Sequence, residues 1–280
     1  MKFTRQIESA EKQYLQILED FFISIYNEKT LSSHGIEHHR RVWNYSKELL
    51  KILQLKSTML ASRLPAELII ACYMHDIGMS VDPGIKHGRY SRELCCRFLS
   101  KNQLPLGDWK IVLEAIENHD NKDYAGINSM NEVLQVLSVA DDLDAFGFTG
   151  IFRYSEIYLT RGTDPKKIGY LILENAGKRL ENFISTFGHN IELAKKHQNR
   201  YTIVDDFFSN YNDQLPYYHF GTKNPSGYCG VVETFVLMIN NKIELEEIYL
   251  HSKKYMVDPI ILWYFSELKK ELSAFKIYLK

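Results

Sequence analysis

The sequence predicts an all-α protein. Apolar residues recur at helical spacing along most of the chain, and hardly any segment alternates as a strand would. Gly, Pro and polar clusters interrupt the pattern at only a few places. At 280 residues the chain is long enough to bury a full core, as one large domain or two packed ones.

Residues 5–29 carry Ile7, Tyr14, Leu15, Leu18, Phe21, Phe22 and Ile25 on one helical face. A break over Lys29 to Ser33 precedes a helix from Ile36 to Leu55, with Val42, Tyr45, Leu49 and Ile52 as its inner stripe. Ala66 to Met74, with Pro65 in its first turn, is apolar on nearly every face, which marks a buried helix. That helix ends in the adjacent pair His75-Asp76. After the loop Ser80 to Gly84, helix resumes near His87 and runs to Phe98 or Leu99. Leu104 to Gly107 reads as a turn, with Asp108 as N-cap of a helix from Trp109 to His119. A polar loop spans Asp120 to Asn128, and Ser129-Met130-Asn131-Glu132 has the form of a capping box. The helix it opens carries Asp141, Asp142 and Asp144 in its C-terminal half, where acids oppose the helix dipole and ask for compensating positive charge. Residues 151–160 and 165–213 read as long aromatic helices, Leu215 to Gly230 as a turn-rich stretch, and Val231–Ser252 and Asp258–Leu279 as two final helices. The expected division is a helical domain with its N-terminal helix over 1–147 and a helical C-terminal extension over 148–280.

The formal net charge of −1 argues against a nucleic-acid binder that works by bulk charge. No apolar run approaches the roughly 20 residues of a membrane span, and no signal peptide opens the sequence. Cys72, Cys95, Cys96 and Cys229 form no CxxC pair, and adjacent cysteines make a poor disulfide. Free thiols in a cytoplasmic protein with no membrane association are the expectation.

A charge beside an apolar core needs an opposite charge or a metal. His38, His75, Asp76, His87, His119 and Asp141 all lie on apolar helix faces or at helix ends, and all are metal-ligand types. The absence of thiolates from the set argues against a structural zinc cage, whereas a helical bundle is a known frame for ligands drawn from several helices. Plainer readings stand beside this one. The cluster can be a hydrogen-bonded polar core, and His87 and His119 can be phosphate contacts or simple helix ends. Arg41 can pair with Glu37 at i,i+4, and Lys86 and Arg89 can be surface residues. Asp142 and Asp144 can be solvated, with Asp144 also placed one turn from Asp141. His39 rivals His38, but lies about 100° round the helix from it. His34, one turn before His38, either touches substrate or begins the helix, and the second is preferred.

The order of these residues resembles the HD-domain superfamily of metal-dependent phosphohydrolases. His38-His39-Arg40-Arg41-Val42 is similar to its first element, H-x-x-R-V. Met74-His75-Asp76-Ile77-Gly78 is similar to its His-Asp element, and Val139 to Ala145 to its last, around Asp141. The resemblance covers about residues 30–147 and implies an HD-type helical bundle. It implies a first divalent ion on His38, His75, Asp76 and Asp141, and a second shared by Asp76 with His87 and His119. The loop from Asp76 to His87 is shorter than in many dinuclear members. Mn, Fe, Ni, Mg and Zn are not distinguished. The implied reaction is hydrolysis of a phosphate ester or pyrophosphate in a small phosphorylated substrate, above all a nucleotide. His75 and Asp76 would be catalytic, and Arg41, Lys86 and Arg89 would bind the phosphate. The C-terminal region would cover the site's mouth, with Arg153, Tyr154 and Tyr158 lining it, or make a homodimer surface. Two other readings fit an HD scaffold: a non-catalytic nucleotide-binding regulator, and a di-iron oxygenase of the myo-inositol oxygenase type.

Overall fold

The computed structural model describes residues 2–26, 31–56, 63–121, 131–243, 250 and 257–278. Among them are eleven α-helices and no strand. The chain forms two compact units, one of Met1–Leu143 with Asn182–Asn190, the other of Asp144–Glu181 with Ile191–Lys280. The dividing point thus lies four residues before the 147/148 boundary expected from sequence, and a short later segment returns to the first unit.

The first unit is built on helices α1 (Lys2–Ile25), α2 (Ile36–Lys56), α3 (Leu64–Met74), α4 (His87–Lys101), α5 (Lys110–Asn118) and α6 (Glu132–Asp144). α3 is central. It packs against α1, α2, α4 and α5, and buries every residue from Leu68 to Met74. This is where a helix apolar all round must go. Two acids of α1 fasten it to α2. Glu19 takes a bidentate pair from Arg40 (2.8 and 2.7 Å), and Glu11 accepts from Trp43 and Lys47, each at 2.8 Å.

Two local expectations change. Ser80, the first residue of the expected loop, ends a 3-10 turn, Ile77–Ser80. Asp108 caps no helix: it lies inside a 3-10 turn, Leu106–Trp109, and α5 begins at Lys110. At α6 the first two residues of the proposed capping box, Ser129 and Met130, lie outside the described residues, as do Lys29, Thr30 and the loop from 122. The cap is supplied by Asn131, whose Oδ1 accepts from Leu134 N at 2.9 Å.

The second unit holds α7 (Gly147–Thr160), most of α8 (Pro165–Phe187), α9 (Ile191–Gln214), α10 (Gly227–Asn240) and α11 (Pro259–Tyr278). The single helical run expected over 165–213 is two helices. Gly188 closes α8 with its N–H on Ile184 O at 2.9 Å, and a turn to Asn190 follows. The aromatics of this unit are core, with Phe152, Phe207, Phe235, Tyr264 and Phe265 all buried and in edge or tilted ring contact. Gly147, at φ 78°, lets Glu271 reach the start of α7, where its Oε2 accepts from Phe148 N at 2.8 Å. Of helix Val231–Ser252, residues 244–249, 251 and 252 lie outside the described set.

Candidate metal centre

Helix ends supply most of this site. His75 caps the C-terminus of α3, and Asp76 turns out of the helix at φ −109°, ψ 4°. His87 is the first residue of α4, and His119 caps α5. His38 comes from α2 and Asp141 from α6. All six are buried.

The ring nitrogens are ordered by carbonyls. His75 Nδ1 lies 2.9 Å from Cys72 O, His87 Nδ1 2.8 Å from Gly84 O, and His119 Nδ1 2.7 Å from Ile116 O. A carbonyl only accepts, so each Nδ1 carries the hydrogen and donates it. In each case the acceptor is three residues back. For His75 and His119 it belongs to a last helical turn, whose carbonyls lack intrahelical partners. In its neutral form each of these imidazoles presents its Nε2 lone pair inward, as a metal ligand requires.

Those Nε2 atoms converge with the carboxylates. His38 and His75 Nε2 are 3.1 Å apart, each 3.3 Å from Asp76 Oδ2 and 3.8 Å from Asp141 Oδ1. On the other oxygen of Asp76, Oδ1 lies 3.0 Å from His119 Nε2 and 3.4 Å from His87 Nε2, which are 3.4 Å from each other. Ligands about 2.1 Å from one ion lie about 3.0–3.4 Å apart as neighbours and about 4.2 Å across it. Asp76–His87–His119 and the contacts among His38, His75 and Asp76 fall in the neighbour range, the contacts of Asp141 lie between the two values, and in each group all ligand atoms lie within 4.8 Å of one another.

The charge of the centre points the same way. Burial pulls the His75 pKa down, but Asp76 and Asp141 outweigh it and raise it to about 10. Burial favours a neutral Asp76, yet His75, His119 and His38 hold its carboxyl well below the usual range. A buried carboxylate held ionised, as Asp76 is, demands buried positive charge, carried by a proton or by a metal.

Residues 35–145 match the family model described as the HD domain. This segment is an HD domain. No curated protein and no solved structure matches the chain. The HD domain is a helical fold associated with metal-dependent hydrolysis, and the buried His/Asp groups here have the composition to hold a metal ion.

Two glycines let the HD domain's parts close up. A Cβ on Gly78 would stand 2.2 Å from His87 O and 2.4 Å from Ser91 N, and one on Gly88 would stand 2.6 Å from Glu117 O. The His-Asp turn thus presses on the start of α4, and α4 on the end of α5. The contacts bring Asp76, His87 and His119 to one place.

The other expected residues have varied surroundings. His39 is a core histidine. Its Nδ1 donates to Cys72 O at 3.0 Å, its ring lies 4.7 Å from Phe22, and burial drives its pKa well down. Arg41 is buried, and the partner of Glu37 at 2.6 Å is Arg40. Lys86 is exposed, and Arg89 is at the surface on Glu93 at 3.1 Å. Asp142 and Asp144 are fully buried, not solvated. Asp142 accepts from Asn182 Nδ2 at 2.8 Å, and Asp144 pairs with Arg153 at 3.0 Å. Arg153 and Tyr154 are buried within the second unit, and Tyr158 is half-buried.

Two more residues join the cluster: His34, read from sequence as a helix start in preference to a substrate contact, and Asp120, read only as the start of a polar loop. His34 Nε2 is 3.7 Å from Asp76 Oδ2, and Asp120 Oδ2 is 3.9 Å from His87 Nε2. Their signals were slight: His34 stands four residues before His38, and Asp120 directly follows His119.

Proposed function

We propose that the chain is a metal-dependent phosphohydrolase, cleaving a phosphate ester or pyrophosphate bond of a nucleotide or related small molecule. The observation that carries this reading is the pair of buried ligand groups that share Asp76, one on each carboxylate oxygen. His38, His75, Asp76 and Asp141 would hold one divalent ion, and Asp76, His87 and His119 a second. Such ions supply Lewis acidity, acidifying water and taking up charge on phosphoryl oxygens.

The protein's own part is placement. The carbonyls of Cys72, Gly84 and Ile116 hold three imidazoles in one tautomer, so no reorientation is needed when a ligand binds. Asp76 keeps the two groups in register because each of its oxygens serves one of them. Burial of all six residues keeps bulk water from screening their charge. Arg41, one turn beyond His38, and Lys86, beside His87, are the cations proposed to meet a substrate phosphate.

The test is a panel of phosphomonoesters, phosphodiesters and nucleoside di- and triphosphates, assayed on metal-analysed protein across Mn²⁺, Fe²⁺, Ni²⁺, Mg²⁺ and Zn²⁺. Turnover that Asp76→Ala abolishes without loss of helical circular dichroism supports the reading. Nucleotide binding with no turnover under any cation would replace it with a regulator, and dioxygen consumption by an iron-loaded form with an oxygenase.

A further inference from the structure

His34 stands one residue before the matched HD segment and outside both ligand groups. It ends a short 3-10 turn, Ser32–His34, and is 1% exposed. Its ring lies 5.1 Å from that of His38, and its Nε2 points at the Oδ2 edge of Asp76 from 3.7 Å.

What separates it from its neighbours is the partner of Nδ1. His75, His87 and His119 each meet a carbonyl there, which forces the hydrogen onto Nδ1 and leaves Nε2 a lone pair. His34 Nδ1 meets the hydroxyl of Ser33 at 2.8 Å, and Ser33 is itself buried. A hydroxyl can donate as well as accept. With Nε2 turned toward a carboxylate oxygen, a lone pair on Nε2 would face a lone pair on Asp76. A hydrogen there faces it favourably. Ser33 then donates to Nδ1, and Nε2–H becomes a donor at the rim of the centre. An N–H at this position repels a metal ion and attracts an anionic oxygen.

We infer that His34 is a substrate-contacting residue, held by Ser33, whose Nε2–H donates to a phosphoryl oxygen of the substrate bound at the His38–His75–Asp76–Asp141 group. The inference rests on the phosphohydrolase reading and deepens it. It assigns the phosphate-facing side of that group to a residue the HD domain match does not include.

The experiment is calorimetric titration of inorganic phosphate into metal-loaded protein, with metal content measured on the same samples. Wild type, His34→Ala, His34→Gln and Ser33→Ala are compared. His34→Ala is expected to keep the wild-type metal content and bind phosphate about tenfold more weakly or worse, as for a lost hydrogen bond to a charged group. His34→Gln, which retains an N–H, recovers part of the loss, and Ser33→Ala shows an intermediate one. Loss of an ion in His34→Ala overturns the inference, because His34 would then be a ligand. Phosphate affinity within about twofold of wild type at equal metal content also overturns it. If His34→Ala does not fold, wild-type affinity in both His34→Gln and Ser33→Ala overturns the inference, and weakened binding in Ser33→Ala supports it. Wild type that binds phosphate yet turns over nothing in the substrate panel defeats the hydrolase reading alone. Metal-loaded wild type that binds no phosphate defeats both.

Discussion

Gly78→Ala tests whether close backbone packing sets the second ligand group. The backbone of Gly78 is not in the left-handed region, so alanine brings no conformational strain of its own. Its cost is collision. The new Cβ would lie 2.2 Å from His87 O, and real contacts stop near 3.0 Å, so the first turn of α4 must withdraw by about 0.8 Å. Metal–ligand distances tolerate only about 0.2 Å. His87 rides on the residue that is pushed, so Asp76–His87–His119 should lose its ion. His38–His75–Asp76–Asp141 draws nothing from α4 and should keep its own. The amide of Gly78, which donates to Ser91 Oγ at 2.8 Å, is strained by the same movement. Overpacking of this kind costs about 1–3 kcal/mol, which for a unit of this size lowers the melting temperature by roughly 2–12 °C. The assay is elemental analysis of purified protein together with thermal unfolding. The expected result is a fall from about two ions per chain to about one, with helical content retained. A variant with wild-type metal content and wild-type melting would refute the reasoning. Gly177→Ala is the control, because nothing lies within 4 Å of its Cβ; inside α8 it should stabilise by about 0.5–1 kcal/mol.

Three further outcomes are expected. His38→Ala should lose one ion per chain, whereas His39→Gln should keep full metal content and lose only stability; metal loss in the His39 variant would reverse their assignment. Chelation should lower the melting temperature, since an ion at 100 times its dissociation constant stabilises by about 2.7 kcal/mol, and a melting curve indifferent to chelator would contradict a bound ion. Burial raises the phenol pKa of Tyr211 and of Tyr264, each of which donates to a backbone carbonyl. Their stabilisation is complete below the unfolded value near 10 and is lost as pH rises toward the folded values, by about 1.4 kcal/mol per pH unit for each tyrosine. Denaturant titrations at rising pH, read with phenolate absorbance, check this; phenols that all titrate near 10 in the folded protein would contradict it.

Much of this protein is determined one turn at a time and is therefore legible along the chain. The all-round apolar character of Leu68 to Met74 forces α3 into the interior, and the 3.6-residue period gives the helices around it. The chemical types His, His-Asp and Asp, in that order, pick out before any coordinates are known side chains that the fold brings together. The tertiary structure decided what depends on partners far along the chain. His38 and His39 are adjacent and alike, and only Cys72, thirty-three residues beyond His39, settles which ring is core. Asp142 and Asp144 look like solvated acids until Asn182 donates to the first and Arg153 pairs with the second. His34 reads as a helix start until the fold lays it against Asp76. Gly78 stands in the sequence as part of the His-Asp element and Gly88 in the first turn of a helix, yet what they supply is missing volume where backbones meet. The physical reason is common to all four. Helical periodicity reports which face of an element is apolar, while a polar side chain's role is fixed by the donor, acceptor or empty space that a distant segment brings to it.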